Sequence, residues 1–239
     1  MREKKYIASF VFLLVIMPIA VFAYEPRFAG SEVKYDVEDP IHEIGYYAKL
    51  PGKPARYVIN FAEPGELKAV LRIPDVPWAT KNVMMHVNYK DQNGESQKAD
   101  LIFEEDEWNY YKDEFTGNGY FLGPEFFVEV ASGTHTITIS SLPDNEKPYV
   151  LIIGNREDKS WRSAYRTFVE LAKIKNQVYS EMPLTAYWNI YGIILVFPVL
   201  LITVLLIYGI VKTYLNFKKM DEQMSGSDEN YDSENNNVK

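Results

Sequence analysis

Acidic side chains that could bind a metal ion are concentrated at one point of this sequence. Glu104, Glu105 and Asp106 follow one another, and carboxylate oxygens are the ligands that calcium prefers. The Asp and Asn spacing typical of a calcium-binding loop is missing around them, so a solvated acidic loop is the simpler interpretation. Calcium is the one cofactor that the sequence suggests, and no other cofactor is expected.

Aromatic residues interleaved with polar ones follow this acidic run directly. Exposed rings beside polar groups are how many binding modules stack on sugars or contact protein partners. The same rings could instead fill the core where the chain folds back on itself. The binding interpretation predicts a surface formed by Trp108, Tyr110, Tyr111 and Tyr120.

The sequence contains no pattern typical of a catalytic centre. There is no cysteine, which rules out thiol catalysis, and neither a nucleophile elbow nor a Gly-rich phosphate loop occurs. The histidines His42, His86 and His135 lack metal-ligand spacing, and the last two fall on predicted solvent-facing sides of strands. A protein that is not an enzyme is therefore expected. An exported hydrolase with a site around residues 104–106 is the less favoured alternative.

The first of two apolar runs, within residues 1–23, predicts a signal peptide. Basic residues precede it, and Val21 and Ala23 lie three and one positions before a predicted cut ahead of Tyr24. Small residues at these positions are typical of a cleavage site. An uncleaved N-terminal anchor is the alternative.

The second apolar run predicts one transmembrane helix over residues 187–214. Its centre, residues 190–211, has 22 residues without a charge, close to the ~20 that cross a bilayer core. Lysines follow this run, whereas Glu181 is the nearest charge before it. The positive-inside rule therefore predicts a single-pass protein of the cell membrane with an exported N-terminal part. Residues 215–239 are predicted to be a disordered cytoplasmic tail.

The charge of the chain limits its partners. The formal net charge is −8, and the exported part carries all of it because the basic N-terminus and the acidic tail cancel. Nucleic acid and anionic lipid would be repelled by such a surface. The predicted partners are therefore the membrane, through residues 190–211, and a glycan or protein ligand.

Short alternating runs predict that the exported part is mostly β. Residues 127–130 and 136–139 alternate with a period of two, as in a sheet with one solvated face. Turn signals separate about ten such runs, which favours an antiparallel, jelly-roll-like β-sandwich over residues 24–157. Apolar residues at helical spacing then predict an amphipathic helix and linker over residues 158–181. That helix is either a lid packed on the sandwich or an interfacial helix on the membrane or a partner.

Three segments, residues 123–130, 133–139 and 149–154, resemble a known family. The Gly133-Thr134-His135-Thr136-Ile137 strand and the final Tyr149-Val150-Leu151 strand are similar to the C-terminal half of bacterial pre-peptidase C-terminal-like domains and related carbohydrate-binding-module-like jelly rolls. The sequence also resembles a class of prokaryotic single-span proteins in which such a sandwich precedes a helix and a membrane anchor. This resemblance implies a non-catalytic binding or accessory module. A structural subunit of a membrane complex is the alternative function.

Overall fold

The structure is a computed structural model that describes residues 24–113, 117–158, 160–187, 196 and 199–218. The predicted signal peptide, part of the predicted transmembrane helix and most of the predicted tail lie outside the described residues. The chain divides into two units, Met1–Ile193 and Ile194–Lys239.

Strands dominate the described part of the first unit, as the alternating pattern predicts. The strands are β1 Glu25–Gly30, β2 Lys34–Val37, β3 Ile44–Lys49, β4 Ala55–Phe61, β5 Gly65–Pro74, β6 Val83–Lys90, β7 Ser96–Leu101, β8 Asn109–Lys112, β9 Gly119–Val130, β10 Gly133–Ser141 and β11 Pro148–Ile153. Short 3-10 helices cover Glu105–Glu107 and Pro183–Tyr187, and helix α1 covers Trp161–Gln177.

These strands form two sheets, which confirms the predicted β-sandwich. One sheet has the order β1-β3-β11-β5-β9-β8 and the other β2-β4-β10-β6-β7. The sheets are mixed and not purely antiparallel, because β1 pairs with β3 and β2 pairs with β4 in parallel. A parallel pair needs a crossover connection, and here the chain crosses to the opposite sheet between the two partners.

The apolar core between the sheets follows from the period-two pattern. In β10 the side chains of Ile137 and Ile139 are fully buried, while Thr136 and Thr138, which alternate with them, face outward. His135 shares the inward parity and is buried too. The prediction that His135 faces solvent is therefore wrong, since residues two apart along a strand lie on the same face.

Helix α1 packs on the outer face of the six-stranded sheet, as the lid alternative predicts. Ser160 caps its N-terminus, because the Ser160 hydroxyl accepts a hydrogen bond from the Ser163 N–H at 3.2 Å. Ile174 and Val178 on the helix side join a second buried cluster with Tyr47 and Ile152 of the sheet. The domain thus has three layers: two sheets and a helix.

Helix α2 forms the described part of the second unit, from Val199 to Lys218. It has 20 residues, and an 18-residue window within it has a mean hydropathy of 1.8. At about 1.5 Å per residue it is about 30 Å long, which matches the thickness of a bilayer core. It is therefore long and apolar enough to cross a membrane.

Candidate functional site

The predicted aromatic surface is divided by strand β8, which lies at the edge of the six-stranded sheet. Tyr110 lies opposite Phe121 of β9, and Tyr111 lies opposite Tyr120. Opposed residues of an antiparallel pair share a face, and consecutive residues lie on opposite faces. Tyr110 and Tyr111 therefore point to different sides of the sheet.

Two of the four predicted rings lie in the interior. Trp108 is only 6% exposed and packs edge-on against Phe103, with 5.1 Å between ring centroids. Tyr120 is fully buried. A large ring gains more from burial in a core than from solvent contact, so the chain folds both inward. Tyr110 and Tyr111 are 59% and 41% exposed, so the four residues do not form one exposed surface.

A cleft of about 490 Å³ opens beside Phe121, the residue that follows Tyr120. It lies between the end of β5, the loop that connects β5 to β6, and the start of β9. Its volume falls in the range of about 300–1,000 Å³ that is typical of small-ligand sites. We call it the aromatic cleft; its lining residues are Ile73, Pro74, Val76, Ala79, Thr80, Lys81, Asn82, Phe103 and Phe121.

Two phenylalanine rings, several aliphatic side chains and one ammonium group line the aromatic cleft. The Lys81 Nζ atom lies 4.3 Å from the centroid of the Phe121 ring, a cation–π contact. Tyr110 packs edge-on against Phe121, with 5.6 Å between the two ring centroids. No ion pair of Lys81 occurs among the described residues. The Lys81 ammonium is thus the basic group that a ligand would meet here.

Hydrogen-bonding groups hold the rim of the aromatic cleft. The Thr80 hydroxyl donates to the Asn82 side-chain oxygen, and the Asn82 side-chain N–H donates to the Leu142 carbonyl. These bonds fix the loop between β5 and β6 against the loop after β10. The rim is therefore held in place before any ligand binds, which lowers the entropic cost of binding.

Glycine at position 119 lets polar groups approach the start of β9. A Cβ atom there would lie 2.7 Å from the Tyr110 Oη atom and 3.0 Å from an oxygen of Asp75. A larger residue would displace both groups. Gly119 thus brings a phenol and a carboxylate together beside the aromatic ring of Phe121.

The acidic run forms a short 3-10 helix, Glu105–Glu107. The Glu104 backbone N–H donates to Glu107 Oε2 at 2.7 Å, so the Glu107 carboxylate caps the chain at this point. Asp106 is exposed. Within the described residues no three carboxylate or histidine side chains converge as a metal site would require. Calcium binding by Glu104, Glu105 and Asp106 stays a prediction.

Tyr120 belongs to a buried hydrogen-bonded group on the other face of the sheet, under α1. Its hydroxyl lies 3.0 Å from that of Tyr47, and the Tyr47 hydroxyl lies 2.6 Å from that of Tyr24. The Tyr24 hydroxyl donates to Asp113 Oδ2 at 2.9 Å. We call these four residues the tyrosine cluster. Sequence reasoning missed it, because Tyr24 and Asp113 are 89 positions apart.

Electrostatics give the tyrosine cluster a structural role. Burial raises the pKa of Tyr24 and of Tyr47 well above the usual value of a phenol. Both side chains are therefore neutral hydrogen-bonding groups at physiological pH and not bases. The Arg72 guanidinium lies 5.4 Å from the Tyr24 ring centroid and 5.7 Å from that of Tyr111. Tyr111 thus packs against the cluster instead of the aromatic cleft.

Comparisons with known proteins identify no family for this chain. No family model matches the sequence, and no curated protein matches it. Among solved structures, the pre-peptidase C-terminal domain of collagenase from Bacillus anthracis has 10% identity and a TM-score of 0.28, over 56% of this chain and 97% of that chain. A β-glucosidase from Paenibacillus barengoltzii has 9% identity and a TM-score of 0.22, over 56% of this chain and 14% of that chain. Both scores are too low to support an inference about function.

Proposed function

We propose that this chain is a membrane-anchored, non-catalytic binding module, exported from the cytoplasm, whose ligand site is the aromatic cleft. The observation that carries the proposal is the cleft itself: about 490 Å³, lined by rings and a lysine that has no ion pair among the described residues. Rings that provide apolar contact, with a few polar groups that fix orientation, are the usual composition of a small-ligand site.

The ligand that fits this composition is a neutral glycan. Sugar rings offer apolar C–H faces that contact aromatic side chains, while their hydroxyls accept hydrogen bonds from groups such as the Lys81 ammonium. A long anionic polymer is disfavoured because the chain carries a formal net charge of −8 and would repel it.

The anchor in this proposal is the apolar segment that contains α2. Its mean hydropathy of 1.8 over an 18-residue window supports a membrane span, and the lysines that follow residue 211 support a cytoplasmic C-terminus by the positive-inside rule. A chain with this topology presents its sandwich outside the cell, where glycans are found.

Binding to a panel of neutral oligosaccharides tests the proposal, with the full-length chain in lipid nanodiscs. We expect Lys81→Ala to weaken binding of the recognised sugar by about tenfold, the loss of one good polar contact. Lys98→Ala is the matched control, because Lys98 is an exposed lysine of β7 outside the cleft, and it should bind like the wild type.

A second pair of variants tests the contribution of the Phe121 ring to binding. Phe121→Ala should weaken binding by at least about tenfold, whereas Phe127→Ala, an exposed phenylalanine of the same strand, should not. Because Phe121 also packs on the core, its folding must be checked by circular dichroism. Binding to no oligosaccharide of the panel, or equal affinity in Lys81→Ala and wild type, would contradict the proposal.

A further inference from the structure

The segment that follows α1 folds back on the helix. The Glu181 backbone N–H donates to the Lys175 carbonyl at 2.9 Å, and the Lys175 Nζ atom pairs with Glu181 Oε2 at 3.0 Å. The Thr185 hydroxyl donates to the same carboxylate, also at 3.0 Å. We call residues 181–187 the post-helix segment; its first half is tied to the C-terminal turn of α1.

The end of the post-helix segment is tied to the middle of α1. The Tyr187 hydroxyl donates to the Phe168 carbonyl at 2.7 Å, and the two rings stack with 4.6 Å between their centroids. Ala186 beside them is buried. The segment is therefore a fixed part of the domain and not a flexible stalk.

Two large apolar side chains of this fixed segment point away from the domain. Met182 is 75% exposed and Leu184 is 69% exposed. Their neighbours supply the contacts that hold the segment, so neither side chain gains packing from the domain. Exposed apolar groups on an ordered segment gain free energy when another apolar phase covers them.

The short connection between Leu184 and the predicted membrane span indicates that this apolar phase is the lipid bilayer. Only six positions separate Leu184 from residue 190, where the uncharged run begins. Six residues extend to about 20 Å at most, and the headgroup layer of one leaflet is about 5–8 Å thick, half the difference between the whole bilayer and its core. A span that starts at residue 190 therefore keeps Leu184 within reach of the lipid surface.

We propose that Met182 and Leu184 insert into the outer leaflet of the membrane that the same chain spans. The sandwich is then fixed against the lipid surface. This inference rests on the anchored topology of the proposed function. The attraction is apolar and not electrostatic, because Lys175 and Glu181 neutralise each other and the chain as a whole is acidic. Zwitterionic lipid is therefore sufficient.

Site-specific fluorescence tests the inference, because the natural chain has no cysteine and an introduced one is unique. Leu184→Cys, in the full-length chain, is labelled with a polarity-sensitive fluorophore and placed in nanodiscs of phosphatidylcholine. We expect its emission to shift to shorter wavelength and to be quenched when brominated phosphatidylcholine replaces part of the lipid. Met182→Cys should behave in the same way.

Two further variants complete the test. Leu142→Cys, at an exposed leucine of the loop after β10, should show neither the shift nor the quenching. Leu205→Cys, in α2, should be quenched strongly if the chain is anchored. Quenching at 205 but not at 184 or 182 would overturn the inference and leave the anchor intact, whereas no quenching at 205 would contradict the anchored topology itself.

Discussion

The two buried layers of the domain are built differently. Between the sheets, the core is made mainly of aliphatic and aromatic side chains such as Leu71 and Ile137, both fully buried. Between the six-stranded sheet and α1, the buried groups include the three hydroxyls and the Asp113 carboxylate of the tyrosine cluster, together with Lys175. The first layer depends mainly on non-directional burial, although the Tyr57 and Tyr149 hydroxyls within it lie 2.9 Å apart, and the second depends more on hydrogen bonds with defined partners.

The two layers therefore have different requirements for stability. An apolar layer folds whenever apolar side chains of suitable size share a face. A buried polar layer is stable only when each group has its partner, since an unsatisfied donor or acceptor costs free energy. The polar layer ties together Tyr24 just before β1, strands β3 and β9, and the segment after β8.

The largest loss of stability is expected from a substitution in the apolar layer. Leu71→Ala should lower the free energy of unfolding by about 2–5 kcal/mol, because it leaves a cavity in a closely packed core. Urea unfolding of the full-length chain in detergent, followed by tryptophan fluorescence, measures this. Val33→Ala, at an exposed valine, is the control and should change stability by no more than about 0.5 kcal/mol. Equal effects for the two variants would contradict the assignment of Leu71 to the core.

A smaller effect is expected in the polar layer. Tyr47→Phe removes one hydroxyl that lies between those of Tyr24 and Tyr120, which should cost about 1–3 kcal/mol. Tyr165→Phe is the matched control because Tyr165 is exposed. The same unfolding measurement serves both. If Tyr47→Phe had the same free energy of unfolding as the wild type, the hydroxyls of this layer would contribute nothing to its stability.

His135 makes the apolar layer sensitive to acid. Its Nδ1 accepts from the Lys90 N–H at 3.2 Å, and its Nε2 donates to the Ala131 carbonyl at 3.0 Å. Burial lowers the pKa of His135, so below about pH 6.5 the unfolded chain binds a proton more readily than the folded one. The free energy of unfolding should therefore fall as pH decreases from about 6.5.

The variant His135→Gln should remove this pH dependence. Glu43, whose pKa is raised by burial, acts in the opposite direction, since a carboxyl that is protonated more readily in the folded state gains stability as pH falls. Measuring how the free energy of unfolding changes with pH in the variant and in the wild type isolates the contribution of His135. An identical slope in both proteins would be inconsistent with a buried neutral His135.

The smallest effect is expected at the surface, outside both layers. Asp100 and His86 pair across β6 and β7 with 2.7 Å between Oδ1 and Nδ1. Asp100→Asn should change the free energy of unfolding by less than about 1 kcal/mol, because the contact is exposed and water can replace the lost hydrogen bond. A loss as large as that of Tyr47→Phe would show that surface pairs matter as much as the polar layer.

Local patterns predicted much of the fold. The alternation in β10 and the helical spacing of α1 led directly to a sandwich with a helix, because each pattern reflects one buried face. Strand β1, with the sequence EPRFAG, does not alternate, so the period-two pattern does not predict it. Strand β8 is not predicted either, since all four of its residues are exposed and it has no buried face to produce a pattern.

The site was predicted only in part. Phe121 directly follows Tyr120 of the predicted aromatic surface, but Lys81 is 40 positions away and reaches it only because the β5–β6 loop folds over the start of β9. Trp108 and Tyr111 were grouped by proximity in sequence, although one is buried and the other packs on Arg72. Which face a ring occupies depends on strand pairing, and that pairing is not encoded locally.

The central claim is that the sandwich is exported and held at the membrane with its C-terminus in the cytoplasm. Single cysteines at Lys53, which is exposed, and at Met220 in the predicted tail test it by labelling with a membrane-impermeant maleimide. The account predicts that Lys53→Cys reacts in intact cells and that Met220→Cys reacts only after permeabilisation. Labelling of Met220→Cys in intact cells, with Lys53→Cys protected, would contradict it.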